Sequence, residues 1–254
     1  MLQVKRQDQI TFIHSEALGR IAGTIHAFST RRGERPDLTL GPYSSPNPMV
    51  HINRVRFLAA IGAAGWPIMK LKQVHSGIVA DIDDTSAANE AVEADAAITN
   101  LKGVMLGVQT ADCVPILVSE VNGKAIAAIH AGWRGTAARI AETTILRLRE
   151  KFSIDPKDLM ASIGPHIGVC CYEVGDDVVQ TMANPAVFEY RPEWAKPHLN
   201  LAAANRQQLI SAGLAEERIE ISSLCTRCRA DLFHSYRRDG KNMGHMLSVI
   251  GIAP

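Results

Sequence analysis

No stretch of this 254-residue chain approaches the roughly 18 apolar residues of a membrane span. The N-terminal MLQVKRQDQITFIHSEALG carries charge in every apolar window and so fits neither a signal peptide nor an anchor. A soluble, cytoplasmic protein with no membrane partner is expected. An excess of charge of one sign is also missing. With 27 Lys and Arg against 26 Asp and Glu, the formal charge is +1, which leaves no field to hold a polyanion, so nucleic acid is not an expected partner. Cysteine is scarce: five residues cannot build a disulfide scaffold, and an odd number leaves one free. The lone CxxC at Cys225 and Cys228 has no second pair of similar spacing, and the adjacent Cys170 and Cys171 are awkward partners for it. Packing or a turn is therefore preferred there to a structural zinc. None of the nine histidines lies two residues from another, which excludes the paired His-x-His motifs of a multicopper oxidase.

What is present suits one large domain. Residues are 46% hydrophobic and 21% charged, enough to bury a full core. Gly, Pro, Ser and Asn cluster at 31–49 in a long loop, a place where function often resides. A strand precedes it in IAGTIHAFST and a helix follows in HINRVRFLAAIG. Short apolar runs at 68–74, 78–82 and 95–98 lead to three buried strands, VMLGV, PILVS and AIAAI. A helix follows from Thr136, its expected cap, to near Asp155-Pro156. LMASIG and IEISS read as strands, LNLAAANRQQLISAGL as a helix between them, and MLSVIGIA as a last strand. Without a regular βαβ rhythm, the pattern predicts an α+β fold over residues 1–254: stacked mixed sheets flanked by helices in a single domain.

Three ligand-type residues stand at strand ends: His75, Cys113 and His130. Two imidazoles and a thiolate suit Zn²⁺, and three protein ligands with an open fourth position mark a catalytic zinc site. Gly132 and Gly135 free the backbone beside His130, and Asp112 offers a carboxylate to orient a ligand or move protons. The same residues allow other chemistry. Cys113 could be a nucleophile with His130 or His75 as base and Asp112 as orienter. His₂Cys is also the equatorial set of a blue-copper centre, although Cys113 lacks the nearby His and Met such centres draw from one loop. In a scaffold protein the metal would be structural, and its loss would unfold the chain.

The segments KQVHSG, TADCVPILV, HAGWRGTA, IGPHIGVCCYEV, NLAAANRQQL, CTRC and HSYRRDG resemble, in order, the motifs of the YfiH-type laccase-domain family across about residues 28 to 252. Its members were long labelled multicopper polyphenol oxidases and are now described as zinc-dependent purine nucleoside enzymes. The resemblance implies an α+β domain with His75, Cys113 and His130 as metal ligands. It implies phosphorolysis of adenosine, inosine, guanosine and 5′-methylthioadenosine, together with adenosine deamination; the partners are then purine nucleosides and phosphate, and the chain a monomer or weak homodimer. The family has also been linked to editing of a cell-wall precursor, the work of a Cys-His amidase.

FSTRRGERP keeps Phe28, Ser29 and Arg31 of the family's N-terminal motif but loses its second glycine. Pro46 replaces a usual leucine, the run from Asn47 to Asn53-Arg54 is shortened, and Gly-His245-Met stands for Gly-Arg-Met. Ser29, Arg31, Asn47 and Arg54 are the expected substrate and phosphate residues, with Arg134 a further cationic candidate, because guanidinium groups bind phosphate bidentately.

Overall fold

The computed structural model describes residues 1–33 and 37–254, so 34–36 of the predicted 31–49 loop lie outside the described residues. Two six-stranded sheets stack with helices on both outer faces. In spatial order the first sheet holds Leu2–Gln7, Ile10–Ser15, Thr24–Ser29, Met246–Ile252, Met105–Thr110 and Ile68–Met69. The second holds Ile219–Ile221, Leu159–Ile163, Val114–Glu120, Ile126–Ala131, Ala96–Thr99 and Val79–Asp81. Neighbours are antiparallel except for Ile68–Met69 in the first sheet and both edge strands of the second, so the sheets are mixed as the sequence predicts.

Alternation along the strands assigns each face. In Val114–Glu120, Leu117 joins Phe28, Leu106, Val108, Ala128 and Ile250 between the sheets. Ile116 and Val118 face outward and pack with Ile140, Ile145, Leu148 and Leu209 of the helices Ile140–Phe152 and Leu201–Ser211. Ile140, Ala141, Thr144, Ile145 and Leu148 form the one buried stripe of the first of these helices. On the far side of the first sheet, Phe57 and Leu58 of the helix Pro48–Ala60 cover Ala27, Leu247 and Val249. Phe57 is fully buried, and Phe57→Ala would cost about 3–5 kcal/mol by leaving a cavity.

One local reading is corrected and one element is added. Thr136 does not cap the long helix. It lies buried inside a short helix, Trp133–Ala137, and Arg139, in the left-handed region at φ 58°, separates the two. The N-terminal hairpin, Leu2–Gln7 with Ile10–Ser15, escapes a sequence reading. Its two-residue turn places Asp8 and Gln9 at φ 47° and 64° without the glycine that normally marks such turns.

Candidate metal centre and its cleft

The chain passes from one sheet to the other at Ala111-Asp112-Cys113: Met105–Thr110 belongs to the first sheet and Val114–Glu120 to the second. Cys113 occupies this corner. His130 lies in the adjacent strand of the second sheet, opposite Pro115, on the same side as Ile126 and Ala128. His75 comes from the segment between the short strand Leu71–Lys72 and the edge strand Val79–Asp81. The ligand atoms of the three residues all lie within 4.8 Å of one another, with His75 Nε2 3.8 Å from Cys113 Sγ. The two imidazole rings meet edge to face with centroids 4.8 Å apart.

Asp95 anchors the group. This wholly buried residue immediately precedes the strand Ala96–Thr99, and its backbone carbonyl accepts the N–H of His130 at 2.7 Å. Its Oδ1 lies 2.8 Å from His130 Nδ1 and accepts the His75 N–H at 3.0 Å. Its Oδ2 accepts the Ser76 N–H and hydroxyl at 2.6 and 2.7 Å. This grip holds His75 at φ 60°, a left-handed conformation rare outside glycine, and directs Nε2 of His130 toward Cys113. Gly132 completes the cradle, since a Cβ there would come within 2.9 Å of Cys113 Sγ and 3.0 Å of His75 Cδ2.

Charge follows from this packing. Burial opposes ionisation of Cys113, but the charge of His130 and hydrogen bonds from both histidines hold its thiol down at about 6. Burial also disfavours a charged His130, yet the Cys113 sulfur and the Asp95 carboxylate lift it to about 9. Burial would raise Asp95, and its bonds to His130 and Ser76 instead hold it well below the usual carboxylate range. A thiolate beside two imidazoles, one with its Nδ1 fixed by a carboxylate, is the donor set and outer support of a zinc site. The residues therefore fit the metal.

The trio lines a cleft of about 980 Å³, near the upper end of ligand-pocket sizes. Trp133, Tyr172 and Tyr236 give it aromatic surface, and Arg134 and Arg237 give it positive charge. Tyr43 Oη, Gln109 Nε2, Thr110 Oγ1 and His245 Nδ1 are buried without a hydrogen-bond partner among the described residues, and all four residues line this cleft.

A family model described as multi-copper polyphenol oxidoreductase laccase matches residues 25–253. The chain belongs to this family. A purine nucleoside phosphorylase of Deinococcus radiodurans is 36% identical over 239 residues, 89% of this chain and 88% of the relative. An adenosine deaminase, RL5, from an unknown prokaryotic organism is 34% identical over 250 residues, 89% of this chain and 93% of that protein. The crystal structure of YlmD from Geobacillus stearothermophilus superposes with a TM-score of 0.87 at 29% identity, covering 99% of both chains. Despite the family's description, the groups of three or more ligand-type side chains found among the described residues are only two: the trio, and four cysteines.

Not every residue singled out from sequence reaches the cleft. Asp112 lines it, but its carboxylate is engaged: Oδ1 accepts from Thr226 Oγ1 at 2.6 Å, and Oδ2 from Ser235 Oγ at 3.0 Å and Arg237 N–H at 2.6 Å. It ties the Cys113 corner, where its own φ is 92°, to the C-terminal loops, while the orienting bond to His130 comes from Asp95. Ser29 is buried and accepts the Leu247 N–H. Arg31 bonds the Ala230 carbonyl and pairs with Asp37. Asn47 caps the helix Pro48–Ala60 and lines a separate cavity of about 410 Å³. Arg54 sits within that helix rather than at its start, donating to the Leu40 carbonyl at 3.2 Å and stacking over Tyr43. None of these four lines the large cleft, whereas Arg134 does. Asp95, Tyr172 and Arg237 went unread: a lone Asp in EADAAITN has no spacing signature, although the Tyr and Arg lie inside the motifs CCYEV and HSYRRDG.

Proposed function

We infer that this protein is a zinc-dependent purine nucleoside enzyme that carries out phosphorolysis of adenosine, inosine, guanosine and 5′-methylthioadenosine, with adenosine deamination as a second reaction. The observation that carries this reading is the His75–Cys113–His130 group on the wall of a cleft whose aromatic, cationic and unpartnered polar side chains suit a base, a phosphate and a ribose. Relatives named as a phosphorylase and a deaminase support it.

His75, Cys113 and His130 would hold the zinc, which when bound supplies Lewis-acid polarisation of an oxygen ligand and acidifies water. The chain's own residues do the rest. In phosphorolysis a phosphate oxygen bonds to C1′ of the ribose, the C1′–N9 bond breaks with its electrons going to the purine, and the base takes up a proton. Arg134, stacked on Trp133 at 4.3 Å, and Arg237, stacked on Tyr172 at 5.2 Å, hold the phosphate and offset its charge. Trp133, Tyr172 and Tyr236 provide faces for the purine, and Gln109, Thr110 and His245 hydrogen-bond its edge or the ribose. Asp112 holds the corner and moves no proton.

A second reading rests on one feature: Asp95, His130 and Cys113 form an orienter–base–thiol line, which a Cys-His amidase acting on a cell-wall precursor would also need. The two readings separate on product and on metal. Zinc-loaded protein is incubated with each of the four nucleosides, with and without phosphate, and the products are resolved. Phosphate-dependent release of free base supports the nucleoside reading. Nucleosides left intact, with activity on an amide substrate that survives chelation, would favour the amidase.

A further inference from the structure

Four of the five cysteines take no part in this chemistry, yet they converge. Cys170 and Cys171 follow the strand Leu159–Ile163, and Cys225 and Cys228 follow Ile219–Ile221. These strands pair in parallel, Ala161 with Ile219 and Ile163 with Ile221, so their exits emerge side by side. A further bridge, His166 with Cys225, carries the pairing into the loops, where the Thr226 N–H donates to the His166 carbonyl at 2.9 Å. A turn closed by the Cys171 N–H on the Gly168 carbonyl, 2.9 Å, presents both adjacent thiols to the CxxC loop. The sequence-based objection to Cys170-Cys171 as a second pair is thereby removed.

Sulfur separations are 3.7 Å for Cys170–Cys171, 3.7 Å for Cys170–Cys228 and 3.3 Å for Cys171–Cys228, and all four sulfurs lie within 4.8 Å of one another. A tetrahedron of thiolates at the usual Zn–S distance of about 2.3 Å has edges of about 3.8 Å. No pair stands at the roughly 2.05 Å of a disulfide, and all four cysteines are free. Hydrogen-bond donors gather on two of the sulfurs. The Gly168 N–H donates to Cys225 Sγ at 3.2 Å, and the backbone N–H groups of Arg227 and Cys228 bond the same sulfur, as in a metal-binding CxxC turn. The Arg227 guanidinium reaches Cys171 Sγ at 3.6 Å. Gly168 is required by the close approach, because a Cβ there would meet Cys225 Cβ at 3.2 Å and Cys170 Sγ at 3.3 Å.

We propose that Cys170, Cys171, Cys225 and Cys228 form a second, structural zinc site, a closed tetrathiolate distinct from the His75–Cys113–His130 centre. Four sulfur ligands in a tetrahedral set select zinc or iron, and full coordination by protein leaves no position for substrate. Its place in the fold gives it a role. Thr226, between the two CxxC cysteines, donates to Asp112 beside Cys113. Ile167, just before Gly168, donates its N–H to the Asp112 carbonyl at 2.9 Å, and Tyr172 follows Cys171. Asp112, Ile167 and Tyr172 all line the cleft. The metal therefore clips together the two loops that support the cleft wall and the corner bearing Cys113.

The test is metal content in full-length protein purified with reductant and reconstituted with zinc. Wild-type protein is expected to hold about two zinc ions per chain, and H75A/H130A and C170S/C228S about one each. Should C170S/C228S not fold, H75A/H130A decides alone. Loaded with Co²⁺, it is expected to show the intense thiolate-to-cobalt absorption of a four-sulfur site. Zinc content unchanged in C170S/C228S, or a reconstituted H75A/H130A without metal, would overturn the proposal. So would a disulfide among these cysteines in the reduced, zinc-treated protein. None of these outcomes depends on nucleoside turnover, so failure here is distinct from failure of the functional reading.

Discussion

Asp95 Oδ1 joins the two histidines of the candidate metal centre, lying 2.8 Å from the ring Nδ1 of His130 while accepting the backbone N–H of His75 at 3.0 Å. One buried carboxylate thus sets the tautomer of one ligand and the backbone of the other. Asp95→Asn keeps the shape but weakens both bonds. Zinc affinity at the trio is expected to fall about 10- to 100-fold, the usual cost of losing such a partner. Chelator competition on D95N measures it, and an unchanged affinity would show that the Asp95–His130 bond does not tune the site.

Phosphate binding separates the arginines. Arg134→Ala and Arg237→Ala are each expected to raise the phosphate KM about 10- to 100-fold, from the roughly 1.5–3 kcal/mol of a charged hydrogen bond. Deamination, which uses water, should change much less. Arg54→Ala and Arg31→Ala are expected to leave the phosphate KM within a few-fold. Arg54 touches the cleft residue Tyr43, so its loss should act more on the nucleoside than on phosphate. A large phosphate effect in R54A alone would move the phosphate pocket to the 31–49 loop.

Stability should depend on buried neutral histidines. Burial pushes His26 down to about 3, and His234 to about 4. Unfolded histidines titrate near 6.5, so below that pH the unfolded chain binds protons that the native state refuses. The contribution is complete above about pH 6.5 and is lost as pH falls toward 4 and then 3, at about 1.4 kcal/mol per pH unit for each residue. Urea unfolding at pH 7, 6 and 5 should show the decline, reduced in His26→Gln. A flat profile in wild-type protein would contradict it.

Much of this was legible in the sequence, and the remainder follows a pattern. The strands beside the Cys113 corner and the one carrying His130 are rich in apolar residues, so their ends and the ligand-type residues there stand out. Asp95 does not, since its partners lie 20 and 35 residues away and meet only through pairing in the second sheet. The four cysteines converge for a similar reason: a parallel pairing brings together thiols 57 residues apart. Arg54 misleads because the apolar periodicity begins only at His51, whereas Asn47 and Pro48 start the helix earlier and leave Arg54 nearly two turns inside it.

The central claim is that the His75–Cys113–His130 centre, loaded with zinc, drives nucleoside phosphorolysis. Stripped protein is titrated with Zn²⁺ while inosine and phosphate are converted to hypoxanthine and ribose 1-phosphate, alongside the variants H75A, C113A and H130A. Activity is expected to rise with zinc to a plateau in wild-type protein and to be absent from all three variants at every zinc concentration, although each remains folded. Equal turnover before and after zinc addition, or turnover in C113A, would contradict it.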